Sequence, residues 1–314
     1  MKIIVTGGGG FVGSHLCDSL VSKGHNVIVF LRNIEKTQNL TQILDKIILE
    51  NVDITNSELL EKKIIQHKPD VIFHLAGQTS HKISFDEPFY DLDTNTKSTL
   101  IILETIRKLD NNCRFILGST FVVIGKPKSL PINEESVCSP TSIYGANRLT
   151  SEHYCKIYNS LYDLDTIVFR ITNSFGPREQ FLTPTKNAIN YLIHQASKGN
   201  EITIYNQGKF FRDVIYIDDV ISALNVLMNR GKKGELYWIS SNNKTWFYKI
   251  GKILEDKTSG IIIYGDTPEY YKKVDVGNFL VDNSKLKLLG WDSKVSIEDG
   301  ISKTIEFFNE IYKF

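Results

Sequence analysis

Short apolar runs alternate with longer amphipathic stretches through the first half of the chain. The apolar runs cover residues 3–5, 27–31, 47–49, 71–74, 114–117 and 166–170. Stretches with apolar residues at helical spacing lie between them, at residues 12–23, 57–67, 95–109 and 143–161. This alternation is typical of βαβ units, whose crossover connections are right-handed. The pattern therefore predicts an α/β fold with a doubly wound parallel sheet.

The pattern changes at about residue 173, where glycine and proline interrupt it. A strand-like segment at residues 213–217 precedes a helical segment, 218–228, that can return to the first lobe. The division we expect is a larger lobe of residues 1–172 with 213–230, and a smaller α/β lobe of residues 173–212 and 231–314. No low-complexity linker separates the two lobes, so they are expected to pack together.

Charge and composition exclude several classes of protein. The 314 residues carry 37 Lys and Arg against 36 Asp and Glu, and this balance provides no field to attract nucleic acid or an anionic membrane. No apolar run approaches the roughly 20 residues that span a bilayer, and the first residues do not form a signal peptide. The four cysteines and seven histidines show neither CxxC nor HExxH spacing. We expect a cytoplasmic protein with reduced thiols and no metal.

A glycine-rich turn follows the first predicted strand and opens the first predicted helix. Its residues Gly7, Gly10 and Gly13 have GxxGxxG spacing. Glycine permits a tight turn, close approach of a pyrophosphate to the backbone and close packing of helix on strand, while the helix N-terminus faces the phosphates. In this context the turn predicts a dinucleotide site, so the larger lobe is expected to be a dinucleotide-binding domain.

The end of the second predicted strand carries Leu31 and Arg32 and lacks a carboxylate. A carboxylate there would accept hydrogen bonds from the adenosine ribose of NAD. A guanidinium can instead pair with the 2′-phosphate of NADP. NADP is therefore the favoured cofactor, and the alternative is NAD with Arg32 as an ordinary surface residue.

Further motifs occur in a fixed order along nearly the whole chain. After the glycine turn come Asp53-Ile54, His74-Leu75-Ala76-Gly77, Asn95, Thr120, Tyr144, Arg170-Ile171-Thr172-Asn173 and Arg212-Asp213. In this order they resemble the extended short-chain dehydrogenase/reductase family, the NAD-dependent epimerases and dehydratases that have a Rossmann domain and modify nucleotide-linked sugars. The cofactor-binding residues that the resemblance implies are Gly7, Gly10, Phe11, Val12, Gly13, Arg32, Asp53, Ile54, Leu75, Ala76, Gly77, Asn95, Tyr144 and Arg148.

The resemblance also implies Tyr144, Thr120 and Arg148 as catalytic residues. Tyr144 would exchange a proton with a sugar oxygen, and Thr120 would hydrogen-bond that oxygen. Phenols, with a reference pKa of about 10, are weak bases near neutrality unless a cation stabilises the phenolate. Arg148 follows Tyr144 by four residues on a predicted helix, so its charge lies on the same face. The family has lysine at this position, and arginine cannot relay a proton.

The residues that the resemblance places at the substrate are Ser84, Thr120, Asn173, Arg178 and Arg212. Arg212 would hold the nucleotide diphosphate, and Arg178 is a second candidate phosphate ligand. Family 4,6-dehydratases have an Asp-Glu pair after the threonine, whereas Phe121 and Val122 follow Thr120 here. Elimination of water is therefore not expected.

Together these features favour NADP-dependent reduction of the carbon-4 ketone of a nucleotide-linked, 6-deoxy hexose. The first alternative is a nucleotide-sugar 4-epimerase, which oxidises and re-reduces the same carbon with a retained cofactor. The second is a catalytically impaired nucleotide-sugar-binding member, because Arg148 replaces the family lysine. Family members dimerise through helices that correspond to residues 95–109 and 143–161, so the resemblance also implies a homodimer.

Overall fold

The computed structural model describes residues 1–109, 112–182, 188–267 and 276–312. The strands are Lys2–Thr6 (β1), Asn26–Leu31 (β2), Ile47–Asn51 (β3), Val71–His74 (β4), Arg114–Thr120 (β5), Thr166–Ile171 (β6), Asn173–Phe175 (β7), Glu201–Ile204 (β8), Phe211–Arg212 (β9), Val214–Tyr216 (β10), Leu236–Ile239 (β11), Thr245–Trp246 (β12) and Ile261–Tyr264 (β13). The helices are Phe11–Ser22 (α1), Ser57–His67 (α2), His81–Asp86 (α3), Pro88–Leu92 (α4), Ser98–Lys108 (α5), Ile143–Tyr162 (α6), Ala188–Ser197 (α7), Ile217–Arg230 (α8) and Phe247–Lys257 (α9), then Ser284–Lys287 and Ile297–Tyr312. Turns of 3₁₀-helix cover Gln38–Lys46, Phe121–Ile124 and Asn206–Gly208, and a π-helical turn covers Asp93–Lys97.

Seven parallel strands form the main sheet, in the order β11-β6-β5-β4-β1-β2-β3. In the centre of the sheet, Ile4 of β1 lies opposite Ile28 of β2 and Ile72 of β4. The chain runs outward from β1 through β2 to β3 and then returns to β4 on the other side of β1. Such a reversal opens a crevice at the carboxyl ends of the strands, where ligands bind in this class of sheet. The predicted doubly wound parallel sheet is confirmed.

Alternate side chains of each central strand are buried on opposite faces of the sheet. On one face Val5 and Val29 pack with Leu16 of α1, and on the other face Ile4 and Ile28 pack with side chains of α2 and α5. Strands buried on both faces consist of apolar residues throughout. This is the physical reason why short apolar runs located them correctly in the sequence.

Helix boundaries follow the predictions where local capping defines them. Helix α2 has the predicted bounds, Ser57–His67, because the Asn56 side chain caps its N-terminus and Lys68 ends it in a left-handed conformation. The helix predicted for residues 95–109 begins later, at Ser98, because the residues before it form the π-helical turn. π-helical turns are frequent at functional sites.

Strand β11 departs from the predicted division into lobes. The sequence placed all of residues 231–314 in the smaller lobe, but Leu236–Ile239 pairs with β6 at the edge of the main sheet. Helix α8 packs on α1 and returns the chain to this edge, and burial of Tyr237 and Trp238 completes the sheet there. The rest of the division stays a prediction. No helix in the described ranges has both the length and the apolar character of a membrane span.

Candidate active site

The glycine-rich turn between β1 and α1 packs against the loop that follows β4. Gly7 has a φ of +70°, and a Cβ there would lie 2.8 Å from the backbone nitrogen of Ala76. A Cβ on Gly13 would lie 2.3 Å from the carbonyl oxygen of Gly7. Helix α1 begins at the carboxyl edge of the sheet, with Gly10 as an N-cap that has no side chain. This cradle and helix N-terminus fit the pyrophosphate of a dinucleotide. The remaining predicted contacts of the turn, Phe11 and Val12, start α1.

Arg32 and Asp53 follow the ends of β2 and β3. Arg32 is exposed, and its Nη1 donates a hydrogen bond of 2.5 Å to the hydroxyl of Tyr90 on α4. Asp53 Oδ1 accepts hydrogen bonds from the backbone N–H and the hydroxyl of Thr55, at 2.9 and 2.8 Å, while Ile54 is buried. Asp53 thus orders the turn after β3, and Tyr90 sets the direction of the Arg32 side chain.

A chain of hydrogen bonds at His74 joins β4 to β1 and α5. The Thr6 hydroxyl lies 2.8 Å from Nδ1 of His74, and the Ser98 hydroxyl lies 3.2 Å from Nε2. Ser98 donates its own hydrogen to a backbone carbonyl in the π-helical turn, so Nε2–H is the donor to Ser98 and Nδ1 accepts from Thr6. Burial, together with the charge of Arg148, lowers the pKa of His74 to about 3. His74 is therefore a neutral residue that anchors the start of the loop after β4.

We expect acid to destabilise the protein partly through His74. Below pH 6.5 the unfolded chain binds a proton at this residue and the folded chain does not, so stability falls as pH falls towards the folded pKa. Between pH 7 and pH 5 the loss is about 2 kcal/mol. Urea unfolding at both pH values measures the free energy of unfolding. The difference in this free energy between the wild type and His74→Gln should be smaller at pH 5 than at pH 7 by this amount. An advantage that is the same at both pH values would contradict a buried neutral imidazole.

Arg148 and Asn95 flank the loop after β4 at Gly77. Asn95 Nδ2 donates to the carbonyl of Gln78 at 2.8 Å, and its Oδ1 accepts from the N–H of Gln78 at 3.1 Å. Arg148 is 3% exposed, and its Nη1 donates to the carbonyl oxygen of Gly118 at 3.2 Å. A Cβ on Gly77 would lie 2.0 Å from Nη2 of Arg148. The guanidinium therefore fills the space between the ends of β4 and β5, and glycine at position 77 makes that space available.

Tyr144 and Thr120 lie on segments that meet at the carboxyl end of β5. Tyr144 is in the first turn of α6, and a Cβ on its neighbour Gly145 would lie 3.2 Å from the carbonyl oxygen of Val122. Thr120 ends β5, and its hydroxyl oxygen accepts a hydrogen bond from the N–H of Val122 at 3.3 Å. The Thr120 hydroxyl still has its own hydrogen to donate. Cζ of Arg148 lies 5.9 Å from the centroid of the Tyr144 ring.

The predicted substrate residues have different surroundings. Ser84 is buried in α3, and its hydroxyl has no hydrogen-bond partner in the described part of the chain. Asn173 Nδ2 donates to the backbone carbonyl of Asp213 at 3.2 Å. Cζ of Arg212 lies 5.0 Å from the centroid of the Phe210 ring. None of these contacts tests a role in substrate binding, so these assignments stay predictions.

Arg178 pairs with helix α1. Its Nη1 lies 2.6 Å from Oδ2 of Asp18 in a salt bridge. Asp18 compensates the positive charge that was predicted to bind a phosphate. The geometry therefore lends no support to Arg178 as a phosphate ligand, and the pairing could not be read from positions 160 residues apart.

Three polar side chains beside the site were not identified from the sequence. The carboxylate of Asp91 on α4 accepts a hydrogen bond of 2.7 Å from Gln78 and another of 2.7 Å from Asn147. Gln78 directly follows Gly77, and Asn147 directly precedes Arg148. Asp91 lies 13 residues from Gln78 and 56 residues from Asn147, and no spacing in the sequence indicates these two contacts.

A known family matches nearly the whole of this chain. The family model described as GDP-mannose 4,6 dehydratase matches residues 4–304. The chain belongs to this family, within the extended short-chain dehydrogenase/reductases that modify nucleotide sugars. The predicted family and enzyme class, an NAD(P)-dependent nucleotide-sugar oxidoreductase or epimerase, are confirmed.

Particular relatives match almost the full length. A putative UDP-glucose 4-epimerase of Methanocaldococcus jannaschii is 31% identical over 309 residues, which are 97% of this chain and 97% of the relative. The structure of UDP-glucose 4-epimerase from Thermotoga maritima with UDP-glucose has a TM-score of 0.89 and 30% identity, covering 99% of both chains. UDP-glucuronic acid 4-epimerase from Bacillus cereus, in complex with UDP-glucuronic acid and NAD, has a TM-score of 0.85 and 27% identity, covering 99% of this chain and 100% of that one.

Proposed function

We propose that this protein is a nucleotide-sugar 4-epimerase that works with a retained nicotinamide dinucleotide. The observation that carries the proposal is the grouping of Tyr144, Thr120 and Arg148 near the end of β5, with no carboxylate directly after Thr120. Similarity over the full length to proteins named as 4-epimerases supports the same reaction. Reduction of a 4-ketone, the activity favoured by the sequence, becomes the second candidate.

The residues at the crevice fit a dinucleotide along the glycine turn. Gly7, Gly10 and Gly13 would hold the pyrophosphate, and Asn95 and Arg148 would hold the nicotinamide ribose. The bound group supplies hydride chemistry, since nicotinamide accepts a hydride from a carbon and returns it. The chain's own contribution is to orient the sugar and to move the proton of the reacting oxygen.

The proton chemistry depends on Tyr144. Its phenolic oxygen would take the proton of the sugar 4-hydroxyl on oxidation and return it on reduction, while the Thr120 hydroxyl donates a hydrogen bond to the same sugar oxygen. Arg148 supplies a permanent positive charge near the phenol but cannot relay a proton. An epimerase returns the same proton in every cycle, whereas a reductase needs a new one from solvent. Arginine at this position is therefore better suited to epimerisation.

The positions after Thr120 support a reaction without elimination. Loss of water from the sugar needs a carboxylate pair as acid and base, and Phe121 and Val122 have none. The Phe121 ring packs against the buried Phe279 with centroids 5.1 Å apart, so the position directly after Thr120 is part of an apolar cluster. The dehydratase activity in the name of the family model is therefore not proposed for this chain.

Incubation of the protein with UDP-glucose, and separately with UDP-glucuronic acid, tests the proposal. We expect NMR spectra of the sugar to show the carbon-4 epimer, with no net change in the absorbance of reduced dinucleotide. Consumption of NADPH with nucleotide-linked 4-keto-6-deoxy hexoses, without epimer from either UDP sugar, would favour the second candidate.

The presence of Arg32 after β2 favours NADP as the cofactor. It therefore also favours the second candidate function, reduction of a 4-ketone. Replacing Arg32 with aspartate is expected to weaken NADPH binding by about 10- to 100-fold, because a charged hydrogen bond to the 2′-phosphate contributes about 1.5–3 kcal/mol. NADH binding should change much less. Fluorescence titration measures both affinities, and Tyr90→Phe, which removes only the hydroxyl that orients Arg32, is the matched control for side-chain direction. A wild-type protein that binds NADH more tightly than NADPH would contradict the NADP preference.

We also propose the homodimer that the resemblance implies, formed through α5 and α6. Ile157 and Leu161 on α6 are 44% and 68% exposed, and Phe89 on α4, which packs on α6, is 80% exposed; these are large values for apolar side chains. A second copy would cover them. Light scattering at micromolar concentration should give twice the monomer mass, and Leu161→Glu should shift the protein towards monomer. A wild-type monomer at this concentration would overturn the proposal.

A further inference from the structure

Asp91 carries a fully buried carboxylate next to the candidate active site. It has no exposed surface, and both of its oxygens are occupied. Oδ2 accepts a hydrogen bond of 2.7 Å from Nε2 of Gln78, and Oδ1 accepts a hydrogen bond of 2.7 Å from Nδ2 of Asn147. A buried charge is tolerated only when such partners compensate the loss of water. The three side chains therefore form a hydrogen-bonded unit, which we call the Asp91 cluster.

The Asp91 cluster joins three separate segments of the chain. Gln78 is in the loop after β4, Asp91 is on α4, and Asn147 is on α6. The backbone of Gln78 is held a second time by the amide of Asn95. The backbone carbonyl of Asn147 accepts a hydrogen bond of 3.0 Å from the hydroxyl of Thr96 in the π-helical turn. The cluster thus fixes the loop and the helix relative to each other at several points.

Both partners of Asp91 are adjacent in sequence to residues of the candidate site. Gln78 follows Gly77, which would meet the guanidinium of Arg148 if it carried a Cβ. Asn147 precedes Arg148 and lies three residues after Tyr144. A shift of α6 by one ångström relative to the loop would move both functional side chains, and misplacement on that scale is costly for an oriented reaction.

We propose that Asp91 is a positioning residue that sets the spacing between the loop after β4 and α6, and so aligns Arg148 and Tyr144 with the nicotinamide half of the cofactor. The inference rests on the proposed function, because it assumes that a dinucleotide binds along this loop. Asp91 itself would not touch the reacting atoms. The cluster should affect the nicotinamide end of the site and leave the adenosine end unchanged.

An exchange of carboxylate and amide tests the proposal. Asn147→Asp places a second carboxylate against Asp91, and the repulsion should push α6 away from the loop. The double variant Asp91→Asn, Asn147→Asp restores a carboxylate–amide pair, and the amide oxygen then present at position 91 can still accept from Gln78. The milder Asn147→Ala removes one hydrogen bond without adding charge. Lys156→Gln, on an exposed position of α6, is the control with the same change in net charge as Asn147→Asp.

The measured quantities are the dissociation constants of NADH and of ADP, determined by titration, with thermal unfolding as a check of folding. ADP reports on the glycine turn and the adenosine end alone. We expect Asn147→Asp to weaken NADH binding by about tenfold or more and Asn147→Ala by about three- to tenfold, with ADP affinity unchanged within about twofold. The double variant should recover NADH affinity to within about threefold of the wild type. Lys156→Gln should match the wild type for both ligands.

Two results would overturn the positioning role while leaving the proposed function intact. One is a double variant as weak for NADH as Asn147→Asp, which would show that the carboxylate–amide pair is not what matters. The other is an equal loss of NADH and ADP affinity in the folded Asn147→Ala variant, which would indicate a general structural role. A wild-type protein that binds none of NADH, NADPH and ADP would instead overturn the proposed function, and this inference with it.

Discussion

Replacing Tyr144 with phenylalanine is expected to lower kcat by about 10³-fold, because in the proposed function its phenol accepts and returns the proton of the reacting sugar oxygen. Tyr144 is 7% exposed, and its ring makes a T-shaped contact with His81, with centroids 5.7 Å apart. Phenylalanine preserves these contacts, so the fold and the dinucleotide site should be unchanged. Rates of epimer formation measure the effect, and titration with NADH verifies that the cofactor site is intact.

Tyr154 provides the matched control for this variant. It lies on the same helix, is half-buried and packs against the core instead of the crevice. Tyr154→Phe should keep kcat within about twofold, since it deletes the same atom from a site without chemistry. A Tyr144→Phe variant whose kcat is also close to that of the wild type would refute the role of Tyr144 as acid and base.

Arg148→Met is expected to lower kcat by more than about 100-fold, which is typical for loss of an oriented, buried donor at a reacting site. The substitution removes the positive charge near Tyr144 and the hydrogen bond to the carbonyl of Gly118. Arg148→Lys keeps the charge but not the planar head that reaches between Gly118 and Gly77, so a smaller loss of about tenfold is expected. The ratio of the kcat values of the two variants separates the contribution of the positive charge from that of the planar guanidinium.

The lysine variant also tests the alternative of an impaired member. If arginine had damaged an ordinary lysine site, Arg148→Lys would raise kcat well above that of the wild type. The surroundings of Arg148 lead to the opposite expectation, because the guanidinium is 3% exposed and its Nη1 already donates to the end of β5. A large gain in turnover would therefore contradict the view that this crevice is built around arginine.

The sequence predicted most of the fold because the central strands are buried on both faces. Local residue types define where several elements begin and end. Examples are the apolar run at residues 71–74 and the capped helix Ser57–His67. Strand β11 was misassigned because membership of a sheet depends on pairing with a distant edge, here β6. The π-helical turn was missed because its five residues, Asp93–Lys97, are all polar, so no apolar spacing distinguishes it from the α-helix that follows.

Only the part of the candidate site that depends on local sequence could be predicted. Residues that act through backbone geometry, such as Gly7 and Gly13, could be found from their spacing beside a strand and a helix. Side chains that act through tertiary partners could not. The salt bridge of Arg178 with Asp18, and the two hydrogen bonds of the Asp91 carboxylate, each join residues that only the folded chain brings together.

The fate of deuterium placed at carbon 4 of UDP-glucose distinguishes an epimerase with a retained cofactor from a reductase. If the protein oxidises and re-reduces the same carbon within one complex, the epimer formed should keep the deuterium at carbon 4, without exchange into free dinucleotide or solvent. Loss of the label from the epimer, or its appearance in dinucleotide released in proportion to product, would contradict a 4-epimerase with a retained cofactor.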